Sequence, residues 1–318
     1  MGSGNVKQIE LHVHSFSMRF HLRHRERTGY DVFAYMEEMA ARGFTGVNIS
    51  ANGPGFRDLC GTAPEHLRLV RGASERLGLR VELDTSDTGV EHMTRMIEVA
   101  AMCGADTLRT YTKYDAPLAD VVQWTKHDLR EIAPLAARHG VLVVLENHED
   151  FTGPVLADIL ATVDHPSIRA LYDYGNSQMV GEDPFDALDA MAPFIARVHA
   201  KDHVLLRGPD GLPVVQGVPF GTGRLDVLGT TDRLYAAGVR RFCFENVWAY
   251  RALVKTRVAA LPPTPAFVFD DPARYLNGDA MAPDEAVRAE RQAFSDGLHA
   301  FMAMLADGGY EVARQPVS

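Results

Sequence analysis

The sequence predicts one α/β domain, 1–318, folded as a closed (β/α)₈ barrel. Three observations carry this. Short aliphatic runs alternate with longer segments of helical periodicity about eight times. Glycines stand at the helix ends, and no sustained polar linker separates the units. Four consecutive runs in the second half end on, or carry, an acidic or imidazole side chain: Glu146 closes VLVVLE, Asp173 closes IRALYD, His199 lies in IARVHAKD and Glu245 closes RRFCFE. On neighbouring parallel strands these four converge at one end of a barrel; an open doubly wound sheet is the main competing architecture.

Taken in order, the first strand is expected at Ile9–His14 and the first helix at Asp31–Arg42, where Phe33, Met36 and Ala40 recur at helical spacing. Gly43 stops that helix, and Gly46–Ser50 supplies the second strand. Helix 65–77 ends before Gly78 and leads into strand 79–84; helix 90–103 ends before Gly104 and leads into strand 106–111. Helix 119–139 ends before Gly140 and strand 141–146, and helix 154–163 precedes strand 168–173. Helix 184–192 leads to strand 194–199, helix 225–237 to Gly238 and strand 239–245, and Asp284–Leu305 is the last helix. Two irregular segments interrupt the pattern. His203–Gly223 is rich in Gly and Pro, and Asn246–Ala282 contains Pro262, Pro263, Pro265 and Pro272. Both follow strands that end in candidate ligands, so long loops after strands 7 and 8 are expected over the barrel mouth, as lids or partner surfaces.

With 318 residues, 46% of them hydrophobic, the chain can bury a large core. Its formal net charge of −10 argues against a nucleic-acid surface, which requires concentrated Lys and Arg. Cys60, Cys103 and Cys243 are widely separated and lie in or near apolar segments, a pattern of buried thiols in a reducing compartment. The first residues lack a basic stretch followed by an apolar one, and no run is long enough to cross a bilayer. A cytoplasmic protein without a membrane partner, and an oligomer, are expected.

Each candidate ligand has a structural alternative: Glu146 as a solvated strand end, Asp173 as a turn cap, His199 as a hydrogen-bonded core residue. Four of them at neighbouring strand ends are not independent, and a Glu/Asp/His/Glu set reads as a divalent-metal site. Oxygen and nitrogen donors without thiolate suit Mn²⁺ or Mg²⁺ better than structural zinc. Proton transfer falls to His148, two residues beyond Glu146, whose imidazole can be neutral at pH 7. Lys201, two beyond His199, can donate to a developing oxyanion. Further strand ends offer substrate contacts: His12 and His14, Asn48 and Ser50, Asp84, Arg109 and Tyr111. Arg109 stands out because a buried guanidinium needs a carboxylate or ligand partner.

In order and spacing, LENHED, LYDYGN, VHAKD and FCFEN resemble the metal-binding strands of the xylose-isomerase-like barrels called sugar phosphate isomerases/epimerases, and GTGRLD at Gly221–Asp226 is similar to that family's glycine turn. The resemblance implies Mn²⁺, Mg²⁺ or Co²⁺ and carbonyl-directed chemistry on a small keto sugar. Ketose epimerases of the family carry a histidine three residues after the ligand Asp; this chain has Asn176, kept as a substrate contact, and its loss of the histidine weakens an epimerase assignment. No Lys/Arg cluster accompanies the glycine turn, so no phosphate site is expected.

FSMRFHLRHRERTGYDVF, NISANGPG and LRTYT resemble the α subunit of bacterial C-glycoside deglycosidases, which act on 3-keto sugars joined through carbon to an aromatic aglycone and pair with a small β subunit. This implies a lyase in which His148 removes the C2 proton and the bond from C1 to the aglycone breaks by β-elimination, with a 3-epimerase or isomerase as the alternative. Trp248, Tyr250, Phe267 and Phe269 would then frame an aromatic ligand, dock the second chain, or simply pack the loop down. A hydrolytic barrel of the endonuclease IV type would show more histidine ligands and a basic groove. A non-catalytic barrel would need no base beside the ligands.

Overall fold

The computed structural model describes residues 6–254, 261 and 264–313; Pro262 and Pro263 lie outside the described residues. Eight parallel strands close into a barrel: β1 (Lys7–His14), β2 (Gly46–Ser50), β3 (Arg80–Asp84), β4 (Thr107–Thr110), β5 (Leu142–Glu146), β6 (Ile168–Asp173), β7 (Ile195–Ala200) and, after a hairpin of β8 (Asp202–Arg207) and β9 (Pro213–Val218), β10 (Arg241–Phe244). Closure is direct, since β1 pairs with both β2 (His12 opposite Gly46) and β10 (His12 opposite Cys243). These strands are buried on both faces, which is why they read as unbroken apolar runs rather than as alternation.

Short helices α1 (Arg19–Arg23) and α2 (Arg25–Thr28) follow β1, a segment to which the sequence pattern assigned no element. The outer ring is α3 (Val32–Ala41), α4 (Pro64–Leu77), α5 (Val90–Cys103), α6 (Leu118–His139), α7 (Gly153–Val163), α8 (Pro184–Met191), α9 (Val227–Ala236) and α10 (Pro283–Asp307). Asp31 caps α3 by accepting from the Phe33 and Ala34 amides. At the other ends of α4, α5 and α6, Gly78, Gly104 and Gly140 take the left-handed conformation (φ +67°, +71° and +66°) that a side chain would resist. Among the described residues no helix is long and apolar enough to cross a membrane.

The segment His203–Gly223, expected as an irregular loop, is instead mostly the antiparallel β8–β9 hairpin, with Asp202 opposite Val218 and Arg207 opposite Pro213. β11 (Arg251–Leu253) joins β9 and β12 (Phe269–Asp270) joins β8, so a four-stranded sheet stands beside the barrel mouth. Of the Gly and Pro residues that suggested irregularity, Gly208, Pro209 and Gly211 sit in the turn between two apolar runs, HVLLR and PVVQGV, Pro213 and Gly217 lie within β9, and Pro219, Gly221 and Gly223 follow it. A last strand, β13 (Tyr310–Val312), extends the sheet on the outer end of β1.

Below the mouth the barrel holds a buried ionic layer. His12 lies between Glu10 (3.6 Å) and Glu82 (3.3 Å), and Arg241 spans Glu82 (2.8 Å) and Asp106 (2.9 Å). A β-carbon on Gly46 would come within 2.5 Å of the His12 ring, so only glycine fits opposite it. His12 was expected to touch substrate, but it is fully buried in this layer and does not line the cavity above.

Candidate active site

Parallel register fixes where the candidate ligands meet. Asp173 is opposite His199 across β6–β7, Glu146 ends β5 beside them, and Glu245 follows β10 directly. Ligand atoms of Glu146, Asp173 and His199 lie within 4.8 Å of one another, and Glu245 Oε2 is 4.0 Å from His199 Nδ1. All four side chains are buried.

The surroundings hold these groups in place. Asn147 clamps the Asp173 backbone, accepting from its amide (2.7 Å) and donating to its carbonyl (3.2 Å). Asn48 Nδ2 lies 3.0 Å from His199 Nε2, while Nδ1 is buried, has no hydrogen-bond partner among the described residues and faces Glu245. Turned end for end, the Asn48 side chain presents Oδ1, which has no hydrogen-bond partner among the described residues, to accept Nε2–H, and Nδ1 then offers its lone pair among the carboxylates as a metal-ligating histidine does. Burial, with Glu146 and Glu245 close by, pushes the Asp173 carboxyl well above its ordinary range although Lys201 opposes this. Confined carboxylates beside a free imidazole nitrogen, all oxygen and nitrogen donors, fit a divalent cation.

Asn176 and Lys201 form one chain of contacts. Asn176 Nδ2 donates to Glu146 Oε1 (3.0 Å), Lys201 Nζ donates to Asn176 Oδ1 (2.5 Å), and Lys201 pairs with Asp173 Oδ1 (3.0 Å). Arg109 pairs with Glu146 and lies 3.5 Å from Asp84, whose other partner is His14 Nε2 (2.5 Å). Burial alone would raise Glu146, yet Arg109, His148, His199 and a hydrogen bond from Asp173 together outweigh it and hold the carboxyl down at about 2. His148 stands beside this set, and burial lowers its imidazole to about 4 despite Glu146.

A cavity of about 750 Å³ opens above these residues, large enough for a sugar carrying an aromatic group. Glu146, His148, Asp173, Asn176, Lys201, Arg109 and Glu245 line it; Asn48 lies behind His199 and His12 lies deeper. Phe16, Tyr111, Tyr114 and Tyr250 give it aromatic walls. Of the four loop aromatics only Tyr250 lines it: Trp248 packs edge-on to Phe20, Phe267 joins a small core with Leu205 and Val215, and Phe269 lies under Arg207. His203, Val215 and Gly217 also line the cavity, and the sequence pattern missed them because it missed the hairpin; Met179, in the single turn Asn176–Val180 after β6, lines it too and was missed separately. Asn147 was missed too, although its place between Glu146 and His148 was the available signal.

Residues 36–264 match the family described as xylose isomerase-like TIM barrel. Among curated proteins, an uncharacterized protein YihM of Escherichia coli (strain K12) is 26% identical over 208 residues, 65% of this chain and 63% of its own length. A 3-dehydroshikimate dehydratase of Bacillus anthracis is 26% identical over 136 residues, 41% of this chain and 48% of its own. The chain thus spans somewhat under two thirds of the first relative and about half of the second. Among solved structures, D-psicose 3-epimerase with D-tagatose from Clostridium cellulolyticum H10 superposes with a TM-score of 0.64 at 11% identity, covering 93% of this chain and 99% of that one, a likeness of fold. With the family match extending over more than half of the chain, the protein belongs to the xylose isomerase-like TIM-barrel family.

Proposed function

We propose that the protein is a divalent-metal-dependent lyase acting on a 3-keto C-glycoside, with Mn²⁺, Mg²⁺ or Co²⁺ held by Glu146, Asp173, His199 and Glu245. The observation that carries this is the convergence of those four side chains with His148 at the mouth of an aromatic-walled cavity. When bound, the ion supplies Lewis acidity at a ketone oxygen and so acidifies the neighbouring C–H. His148, neutral at pH 7 and open to the cavity, takes the proton from C2 of the sugar. The electron pair forms the C1–C2 double bond, the bond from C1 to the aglycone carbon breaks, and that carbon takes up a proton. Substrate is thereby divided into an unsaturated keto sugar and the free aglycone, with no oxidant or water consumed. Lys201 donates a hydrogen bond to a substrate oxygen, and Arg109 and Asn176 orient Glu146.

One feature favours elimination over 3-epimerisation. Epimerisation needs a proton donor or acceptor on each face of the carbon, a task for two glutamates. In this site Glu146 is engaged by Arg109 and by Asn176, which leaves His148 as the base on one face. A small second subunit and an oligomeric assembly belong to the same reading.

The test is turnover by Mn²⁺-loaded protein with a 3-keto C-glucosyl flavonoid and, separately, with free ketoses in D₂O. Aglycone release that disappears in His148→Ala supports the lyase. Deuterium in a recovered ketose, without elimination, makes the protein a ketose epimerase instead.

A further inference from the structure

Tyr111 and His148 lie face to face, ring centroids 3.8 Å apart and planes 5° from parallel. The Arg109 guanidinium also sits over the Tyr111 ring, 4.9 Å from its centroid. The backbone brings these groups together. Arg109 and Thr110 on β4 stand opposite Val144 and Leu145 on β5, so Tyr111 and His148 leave neighbouring strands side by side at the mouth.

The stack bears on which edge of His148 faces the cavity. Its Nδ1 is buried, 3.9 Å from Glu149 Oε1 and without a hydrogen-bond partner among the described residues. Yet 23% of the side chain is exposed, so the open edge is the one that carries Nε2. No hydrogen bond at Nδ1 fixes the ring, and the χ2 torsion of histidine has only broad preferences of its own. What holds the plane is the phenol ring against it.

We propose that Tyr111 is a positioning residue whose ring holds the His148 imidazole with Nε2 turned into the cavity. This rests on the reading of His148 as the base. Displacing a proton acceptor by an ångström slows transfer far more than it weakens substrate binding, because the reacting atoms must meet while the rest of the ligand is held elsewhere. The stack uses the face of the ring and not its hydroxyl, so phenylalanine serves as well as tyrosine.

Two readouts on the Mg²⁺-loaded full chain test it. In aglycone release, Tyr111→Phe keeps kcat within about threefold, and Tyr111→Leu lowers kcat about 10- to 100-fold with KM within about threefold. In spectra of protein with isotope-labelled histidine, the His148 ring protons, identified by their loss in His148→Ala, are shifted upfield by the phenol. The shift persists in Tyr111→Phe and vanishes in Tyr111→Leu. A raised KM with unchanged kcat would make Tyr111 a platform for substrate and overturn the proposal, as would a Phe variant as impaired as Leu. Absence of the upfield shift in the unaltered protein overturns it whatever the activity. The shift pattern without any turnover would instead uphold the stack and count against this chain acting as the lyase on that substrate without its second subunit.

Discussion

Asp202 ties the hairpin to the glycine turn. Its Oδ2 accepts from the amides of Gly221 and Gly223, both at 3.0 Å, and Oδ1 from Leu225 at 3.4 Å. The fit is close, since a β-carbon on Gly223 would lie 1.9 Å from Oδ1. Asp202→Ala leaves those amides without an acceptor. The segment is partly exposed and water can replace part of the loss, so the cost is set at about 1 kcal/mol for each of the two shorter bonds and less for the third, about 2–3 kcal/mol in all. At about 2.1 cal/mol/K per residue, the unfolding entropy of 318 residues is about 0.7 kcal/mol/K, so each kcal/mol lowers Tm by about 1.5 °C. Calorimetry of Asp202→Ala should show Tm lower by about 3–5 °C, with amide exchange fastest at 221–225. Asp202→Asn keeps one acceptor oxygen for Gly221 and Gly223 and should lose less. An alanine variant melting within 1 °C of the unaltered protein would refute the anchoring role.

Asn48→Ala frees the His199 ring at Nε2 and should weaken Mn²⁺ binding about 10- to 100-fold by calorimetric titration, with Tm of the metal-free protein little changed. Glu82 is buried, which would raise its carboxyl, but His12, Arg241 and Arg197 hold it well below its ordinary range. A lowered folded value stabilises above the unfolded value near 4.5, and that stability is lost as pH falls through the folded value. Urea midpoints should therefore drop more between pH 7 and pH 3 in the unaltered protein than in Glu82→Gln, which should itself be about 3–5 kcal/mol less stable at pH 7 because its cationic partners are left buried. Equal pH responses in the two proteins would count against that account.

The barrel was legible because its strands are buried on both faces and its helices stop at glycines, two signals that need no long-range knowledge. Asp173, His199 and Glu146 were legible as strand ends for the same reason. Depth was not. Alternation places His12 and His14 on one face, but two residues of strand span about 6.6 Å, enough to put His14 in the cavity wall and His12 in the ionic layer beneath it. The hairpin at 202–218 was hidden because Gly208, Pro209 and Gly211 in its turn, Pro213 and Gly217 within β9 and Pro219, Gly221 and Gly223 after it gave the whole of 203–223 the composition of a loop. The position of Asn147 marked it as close to the ligands, but its role was not legible, because its partner is the Asp173 backbone and backbone partners leave no mark in a sequence.

The central claim is that Glu146, Asp173, His199 and Glu245 hold one divalent ion at the barrel mouth. An anomalous difference map from a crystal soaked in Mn²⁺ tests it most directly. The account predicts a single strong peak bounded by those four side chains, lost in Asp173→Asn; no peak there at saturating Mn²⁺, or one bounded by other residues, would contradict it.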